Sequence, residues 1–251
     1  TETIVPAEEQ RWISELYDGG VWSADHYLGL VLARLRELDL EENTLVVVTS
    51  DHGEELFDHG LLSHTHSLHR ELVRVPLVLA GPGVQPRGGR VSEPLSAVSL
   101  GPTLARLCGA EIEGLSDARD LFDGWRVGPG AEAQPCFFST RQGWWNGVSG
   151  QPLFGLGLGS LVLHYAPEGR PWGAPRSAGE LDAQGEVRLY DNAQDPAELQ
   201  DLSALMPELT QALRDALLRH LATFATQRTD GGARVDEATL GVLRDLGYIG
   251  K

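Results

Sequence analysis

An α/β fold is predicted for this 251-residue chain on three observations. A run of β-favouring apolar residues, Leu45-Val46-Val47-Val48, leads straight into the polar stretch Thr49-Ser50-Asp51-His52-Gly53. A long stretch of helical periodicity precedes it. After Gly124 the texture changes to short apolar runs separated by Gly and Pro, closed by an amphipathic helix, which is the pattern of a small antiparallel sheet covered on one face.

Taken in order, residues Glu8 to Leu38 place Trp12, Ile13, Leu16, Val21, Trp22, Leu28, Val31, Leu32 and Leu35 at helical spacing. Gly19-Gly20 predicts a break between two helical pieces. The strand Leu45 to Ser50 opens with four consecutive β-favouring apolar residues, as suits a central strand covered on both faces. A second strand is expected over Val75 to Ala80, with Pro76 confined to its first residues because proline cannot donate to a ladder. Pro82-Gly83 and Gly88-Gly89 mark a surface loop. Leu100 to Leu107 reads as a short helix with Pro102 tolerated in its first turn. Cys136 to Thr140, Gly159 to Tyr165 and Val187 to Tyr190 are the expected strands of the small sheet, with a polar loop from Ala166 to Gly185. Pro207 to Thr226 sets Leu209, Leu213, Leu217, Leu218 and Leu221 on one helical stripe. The division expected is residues 1–123 as an α/β core and 124–251 as a small α+β unit.

With 41% apolar residues the chain can build a proper core. Its net charge of -16 argues against nucleic acid and anionic membranes as partners, because either would need a basic patch to meet phosphate charge. Such an acidic surface serves solubility, and an anionic substrate would have to be met by local metal, His or Arg groups at short range. The two cysteines imply no disulfide framework, and their apolar neighbours suit free buried thiols. No run approaches the roughly 20 apolar residues of a membrane helix.

The chemistry concentrates after the first strand, because ligands of open α/β sheets collect where strands end. Asp51 offers a hard anionic oxygen and His52 a borderline nitrogen. Together they suit a divalent cation anywhere from Ca²⁺ or Mg²⁺ to Mn²⁺ or Zn²⁺. The same residue types are also common in polar turns, where Gly53 would serve only to turn the chain.

The order and spacing of several motifs carry a resemblance that separates these readings. Tyr17-Asp18, Asp25 with its helix, Asn43-Thr44-Leu45, Thr49-Ser50-Asp51-His52-Gly53-Glu54, Asp58-His59-Gly60 and Arg74-Val75-Pro76-Leu77 resemble the C-terminal half of the sulfatase family, within the alkaline-phosphatase superfamily. Gly101-Pro102-Thr103-Leu104, Leu189-Tyr190-Asp191, Asp195-Pro196 with Glu198 and Asp201-Leu202, and Leu246-Gly247-Tyr248-Ile249 extend the likeness over most of the chain. The resemblance implies part of an alkaline-phosphatase-like α/β/α sheet, a sulfate-ester hydrolase activity, and Asp51 and His52 as ligands completing a metal site, with Ca²⁺ the expected ion. It implies small sulfate or phosphate esters as substrates. Bacterial relatives are often exported, while the compartment of this chain is open.

The nucleophile of that family is a formylglycine made within a Cys/Ser-x-Pro-x-Arg motif, and this chain contains none. Leu107-Cys108-Gly109-Ala110 and Pro135-Cys136-Phe137-Phe138 lack the Pro and Arg, and Ser92-Glu93-Pro94-Leu95-Ser96 lacks the Arg. The expectation is therefore a C-terminal portion whose partner is the missing N-terminal half, with the isolated chain inactive. Asp-His also occurs in phosphonate and phosphodiester hydrolases and in phosphoglycerol and phosphoethanolamine transferases of the superfamily, which form the enzymatic alternative. A truncated, non-catalytic binding module is the alternative of another class.

Four histidines fall between His59 and His69. Counting forward from Asp51-His52 places His64 where relatives carry a Lys or His that contacts the sulfate or phosphate group, with His66 ranked second because counting back from Arg74 lands between them at Thr65. His64 is the expected catalytic and substrate-binding residue, assisting charge development. His59 shares a structural and a functional reading. His69 stands where the family commonly has Tyr and is expected to be a solvated loop residue. Arg141 and Trp144-Trp145 are candidates for lining a pocket for a sugar or aromatic alcohol.

Overall fold

The computed structural model describes residues 5–84, 88–91, 94–110, 121, 135–141, 152–167 and 185–227. Trp144-Trp145, most of the loop after Ala166 and the Leu246-Gly247-Tyr248-Ile249 tail lie outside the described residues. Helix α1 runs unbroken from Ala7 to Glu37. The predicted break at Gly19-Gly20 is absent: nothing stands within 4 Å of where either Cβ would be, and the Ser23 hydroxyl donates to the Gly19 carbonyl at 2.9 Å. Glu8 and Glu9 in the first turn and Arg34 and Arg36 in the last complement the helix dipole. No residue of α1 is buried, and Trp12, Leu16, Val21, Trp22 and Val31 are all exposed.

Strand β1 (Val46–Thr49) pairs antiparallel with β4 (Leu77–Ala80) in the register Val46↔Ala80 to Thr49↔Leu77. Among the described residues β4 is its one partner, and its valines are half-buried rather than buried on both faces. Pro76 stands just outside β4, as its missing N–H requires. The register brings the end of β1 beside the start of β4, so residues 50–76 form one excursion from the end of the sheet. Within it β2 (Glu55–Leu56) and β3 (Leu62–Ser63) make a small hairpin, and α2 (Arg70–Val73) leads back to β4. Helix α3 spans Leu100–Leu107 as predicted. Its buried Thr103 hydroxyl donates to the Ser99 carbonyl at 2.6 Å and accepts the Leu121 amide at 2.7 Å.

The second sheet is antiparallel and four-stranded: β5 (Cys136–Arg141), β6 (Pro152–Leu158), β7 (Leu161–Ala166) and β8 (Glu186–Asp191), in that order. Sequence reading found three of these strands and missed β6, whose Gly155 and Gly157 disguise it. The glycine is required where it stands, because a Cβ on Gly155 would overlap the Phe138 ring. The helix Pro207–Gln227 covers this sheet, with Leu213 and Leu217 packed on Leu156, Leu163, Tyr165 and Leu189. Leu218 departs from the predicted stripe and is exposed. Both cysteines are free, but Cys108 is exposed, contrary to the buried thiol expected of it. No helix among the described residues is long and apolar enough to cross a membrane.

Candidate metal and anion site

The excursion between β1 and β4 is folded around a buried carboxylate. Glu55 is fully buried, accepts the His59 amide at 3.1 Å on Oε1, and accepts the His66 ring Nε2 and the Ser67 hydroxyl at 3.1 Å each on Oε2. Burial opposes its ionisation, but the bonds from His66 and Ser67 outweigh burial and hold its pKa below the usual value. Leu68 anchors the far end of the loop by packing with Leu153 and Ala166 of the second sheet. Phe57, Ser63 and Thr65 have φ of 73°, 81° and 76°. Non-glycine residues held at positive φ cost about 1–3 kcal/mol each, and such strain persists only where surrounding contacts over-determine it.

Asp51 and His52 follow the end of β1 and face outward, with 77% and 45% of their side chains exposed. The Asp51 carboxylate accepts the backbone amide of His52 at 3.0 Å. That bond first, and the charge of His52 second, lower its pKa, so it is an anion at neutral pH. The His52 Nδ1 lies 2.8 Å from the Gly53 carbonyl and must donate to it, since a carbonyl can only accept. In the neutral ring the lone pair is thereby left on Nε2, 3.7 Å from Asp51 Oδ2. Two ligands of one divalent ion stand about 3–4 Å apart at ordinary bond lengths. The donor set, one carboxylate and one correctly tautomerised imidazole, fits such an ion.

His64 is brought to the same place. Its ring lies 4.2 Å from that of His52, centroid to centroid. Its Nδ1 faces the Glu54 carboxylate at 3.3 Å, which leaves Nε2 for a further partner. His66 is turned away: Nδ1 donates to the His64 carbonyl at 3.1 Å and Nε2 bonds to Glu55. Both its ring nitrogens are committed to protein acceptors, so it is poorly placed to contact a substrate anion. The two motif counts disagree by one residue and rank His64 above His66, and the hydrogen bonds set the two rings in different surroundings. Glu54 was visible only as the residue after Asp51-His52-Gly53, and Glu55 gave no signal beyond its place in an acidic pair.

His69 is not the solvated loop residue expected. It is 3% exposed, and its Nδ1 bonds to Glu198 Oε2 at 2.8 Å. The Glu198 carboxylate also accepts the Arg70 amide at 3.3 Å, tying α2 to the turn after β8. His59 stacks on His69 at 3.5 Å and 11°, with the Glu71 carboxylate 3.4 Å from its Nε2. Glu71 against its ring raises the pKa of His59, more than burial lowers it. Burial opposes the ionisation of Glu71 in turn, but His59 prevails and lowers its pKa.

A sequence model of the sulfatase family matches residues 6–110. A sulfatase of Formosa agariphila is 32% identical over 121 residues, 48% of this chain and 24% of that protein. A delta 4,5-hexuronate-2-O-sulfatase of Bacteroides thetaiotaomicron is 26% identical over 250 residues, 92% of this chain and 48% of its own length. Among solved structures, BT4656 in complex with its substrate D-glucosamine-2-N,6-O-disulfate superposes with a TM-score of 0.62 at 20% identity, covering 82% of this chain and 40% of that one. The chain thus spans at most about half the length of these relatives. The fold is that of the alkaline-phosphatase-like sulfatases.

Proposed function

We propose that this chain, which belongs to the sulfatase family over residues 6–110, supplies one half of the active site of a metal-dependent sulfatase that hydrolyses sulfate esters. The observation that carries the reading is the convergence of Asp51, His52 and His64 at the end of β1, with His52 Nε2 and the Asp51 carboxylate spaced for one cation. Asp51 and His52 would hold that ion, Ca²⁺ by resemblance, which when bound would neutralise the sulfuryl oxygens. His64, its Nδ1–H facing Glu54, turns Nε2 to the reacting group and, as an imidazolium, would donate Nε2–H where negative charge develops on the transferring group or the leaving alcohol oxygen. The nucleophile belongs to the other half of the site, since no Cys/Ser-x-Pro-x-Arg motif occurs in residues 1–251.

The outward exposure of Asp51 supports a site shared with another part of the enzyme. The exposed apolar residues of α1, among them Trp12, Leu16, Trp22 and Val31, support a surface that the rest of the enzyme covers. Residues 1–123 then form the catalytic portion and 124–251 the supporting unit.

The test is sulfate release by the complete enzyme carrying Asp51→Ala or His52→Ala. Each should lower turnover by about a hundredfold or more while the thermal melt stays cooperative. Undiminished turnover in Asp51→Ala would sink the assignment. A parallel assay with a phosphonate monoester separates the sulfatase reading from its phosphonate-hydrolase relative.

A further inference from the structure

A second cluster of ligating side chains shares no residue with Asp51 and His52. His59, from the hairpin, His69, at the start of α2, and Glu198, from the turn after β8, each present one ligand atom, and these atoms lie within 4.8 Å of one another. Glu198 is fully buried in its side chain, and while Oε2 bonds to His69, its Oε1 has no hydrogen-bond partner. A buried carboxylate oxygen left unpaired is costly and calls for a cation or donor. The cluster is reached from solvent by an open cavity of about 460 Å³ that His59, His69, Arg188 and Glu198 help to line.

We infer that His59, His69 and Glu198 form a second divalent-metal site, of the class that takes Zn²⁺, joining the metal-loop excursion to the second sheet. Two imidazoles and one carboxylate are a three-ligand zinc set that leaves a fourth position for water from the cavity. Glu71 stands on the ring of His59, where ligating imidazoles commonly keep a carboxylate that orients them. The ligand atoms must close from 4.8 Å to the roughly 3.3 Å spacing of a tetrahedral site. That needs movements of side chains, since the hairpin, α2 and the turn after β8 already bring the three residues to one place. A bound ion would replace the proton now shared between His69 and Glu198 and satisfy the unpaired Oε1.

The inference stands apart from the function proposed for Asp51 and His52, and its test removes them. The full-length protein carrying Asp51→Ala and His52→Ala is stripped with a chelator and titrated with Co²⁺ as a spectroscopic probe. One equivalent should bind with the visible bands of a four- or five-coordinate nitrogen-ligated ion, and Zn²⁺ should displace it, as its greater affinity requires. Adding His69→Phe, which keeps an aromatic ring on His59, or the isosteric Glu198→Gln should abolish the bands, with circular dichroism reporting which variants remain folded. Absence of bands in the parent double variant, or their survival in both folded derivatives, would overturn the inference and leave the cluster an ion-paired junction only.

Discussion

Gly53 donates its amide to the Leu72 carbonyl at 2.9 Å, and its Cα faces the neighbouring Glu71 carbonyl so closely that any Cβ would overlap it. The residue directly after Asp51-His52 is thus clamped to α2, the segment that returns to β4. One backbone contact sets both the direction of His52 and the closure of the excursion. Gly53→Ala should therefore destabilise the fold by about 1–3 kcal/mol, the usual range for overpacking. It should also weaken divalent-metal binding at Asp51-His52, measured by calorimetric titration beside the thermal melt. Unchanged metal affinity would show that the clamp does not position the ligands.

Glu54 acts on the site through His64. Its carboxylate faces the His64 Nδ1 at 3.3 Å, beside the Ser63 hydroxyl at 3.5 Å, and so leaves Nε2 for another partner. Glu54→Gln keeps the shape and removes the charge. Sulfate release by the complete enzyme should fall by about 10–100-fold, the range for partners that orient active-site ligands. The loss should appear in kcat with KM little changed, whereas a merely structural role would lower the melting temperature and spare kcat.

What the sequence made legible was set by local pattern. The β1 valines, the α3 boundaries and the Leu213/Leu217 face of the last helix each follow from periodicity within a few residues. Strand β6 was hidden because its glycines answer to the Phe138 ring, a contact made across the sheet. The Gly19-Gly20 pair misled in the opposite sense, since exposed glycines weaken a helix without ending it, by about 1 kcal/mol each. Motif order alone singled out Asp51, His52 and His64 as candidates, yet counting could not choose between His64 and His66, because Glu54 and Glu55 are what turn them apart. The partner of His69 lies 129 residues away, and nothing in the spacing of either residue announces the other.

His220 offers a pH test of the second sheet. Its ring stacks on Phe137 at 3.4 Å and 7°, and burial lowers its pKa below the ordinary value of 6.5. Above 6.5 the folded and unfolded states both hold it neutral, so it contributes no pH dependence there. As pH falls below 6.5 the unfolded chain takes up the proton first, and stability is lost until the folded pKa is reached. His220→Phe keeps a ring on Phe137 and should flatten the fall in melting temperature over that window. An unaltered acid slope would assign the loss to other groups.

Leu163 and Leu218 separate burial from sequence pattern as the source of stability. Leu163 is fully buried in β7 beneath Leu213 and Leu217, whereas Leu218, on the same predicted stripe as those two, is 38% exposed. Leu163→Ala should cost about 2–5 kcal/mol, because the removed methyls leave a cavity between the sheet and the helix. Leu218→Ala should stay within about 0.5 kcal/mol, as for surface changes that touch no special feature. Denaturant melts of the two variants decide it: a large loss at Leu218 would mean that this helix face is covered in the folded protein.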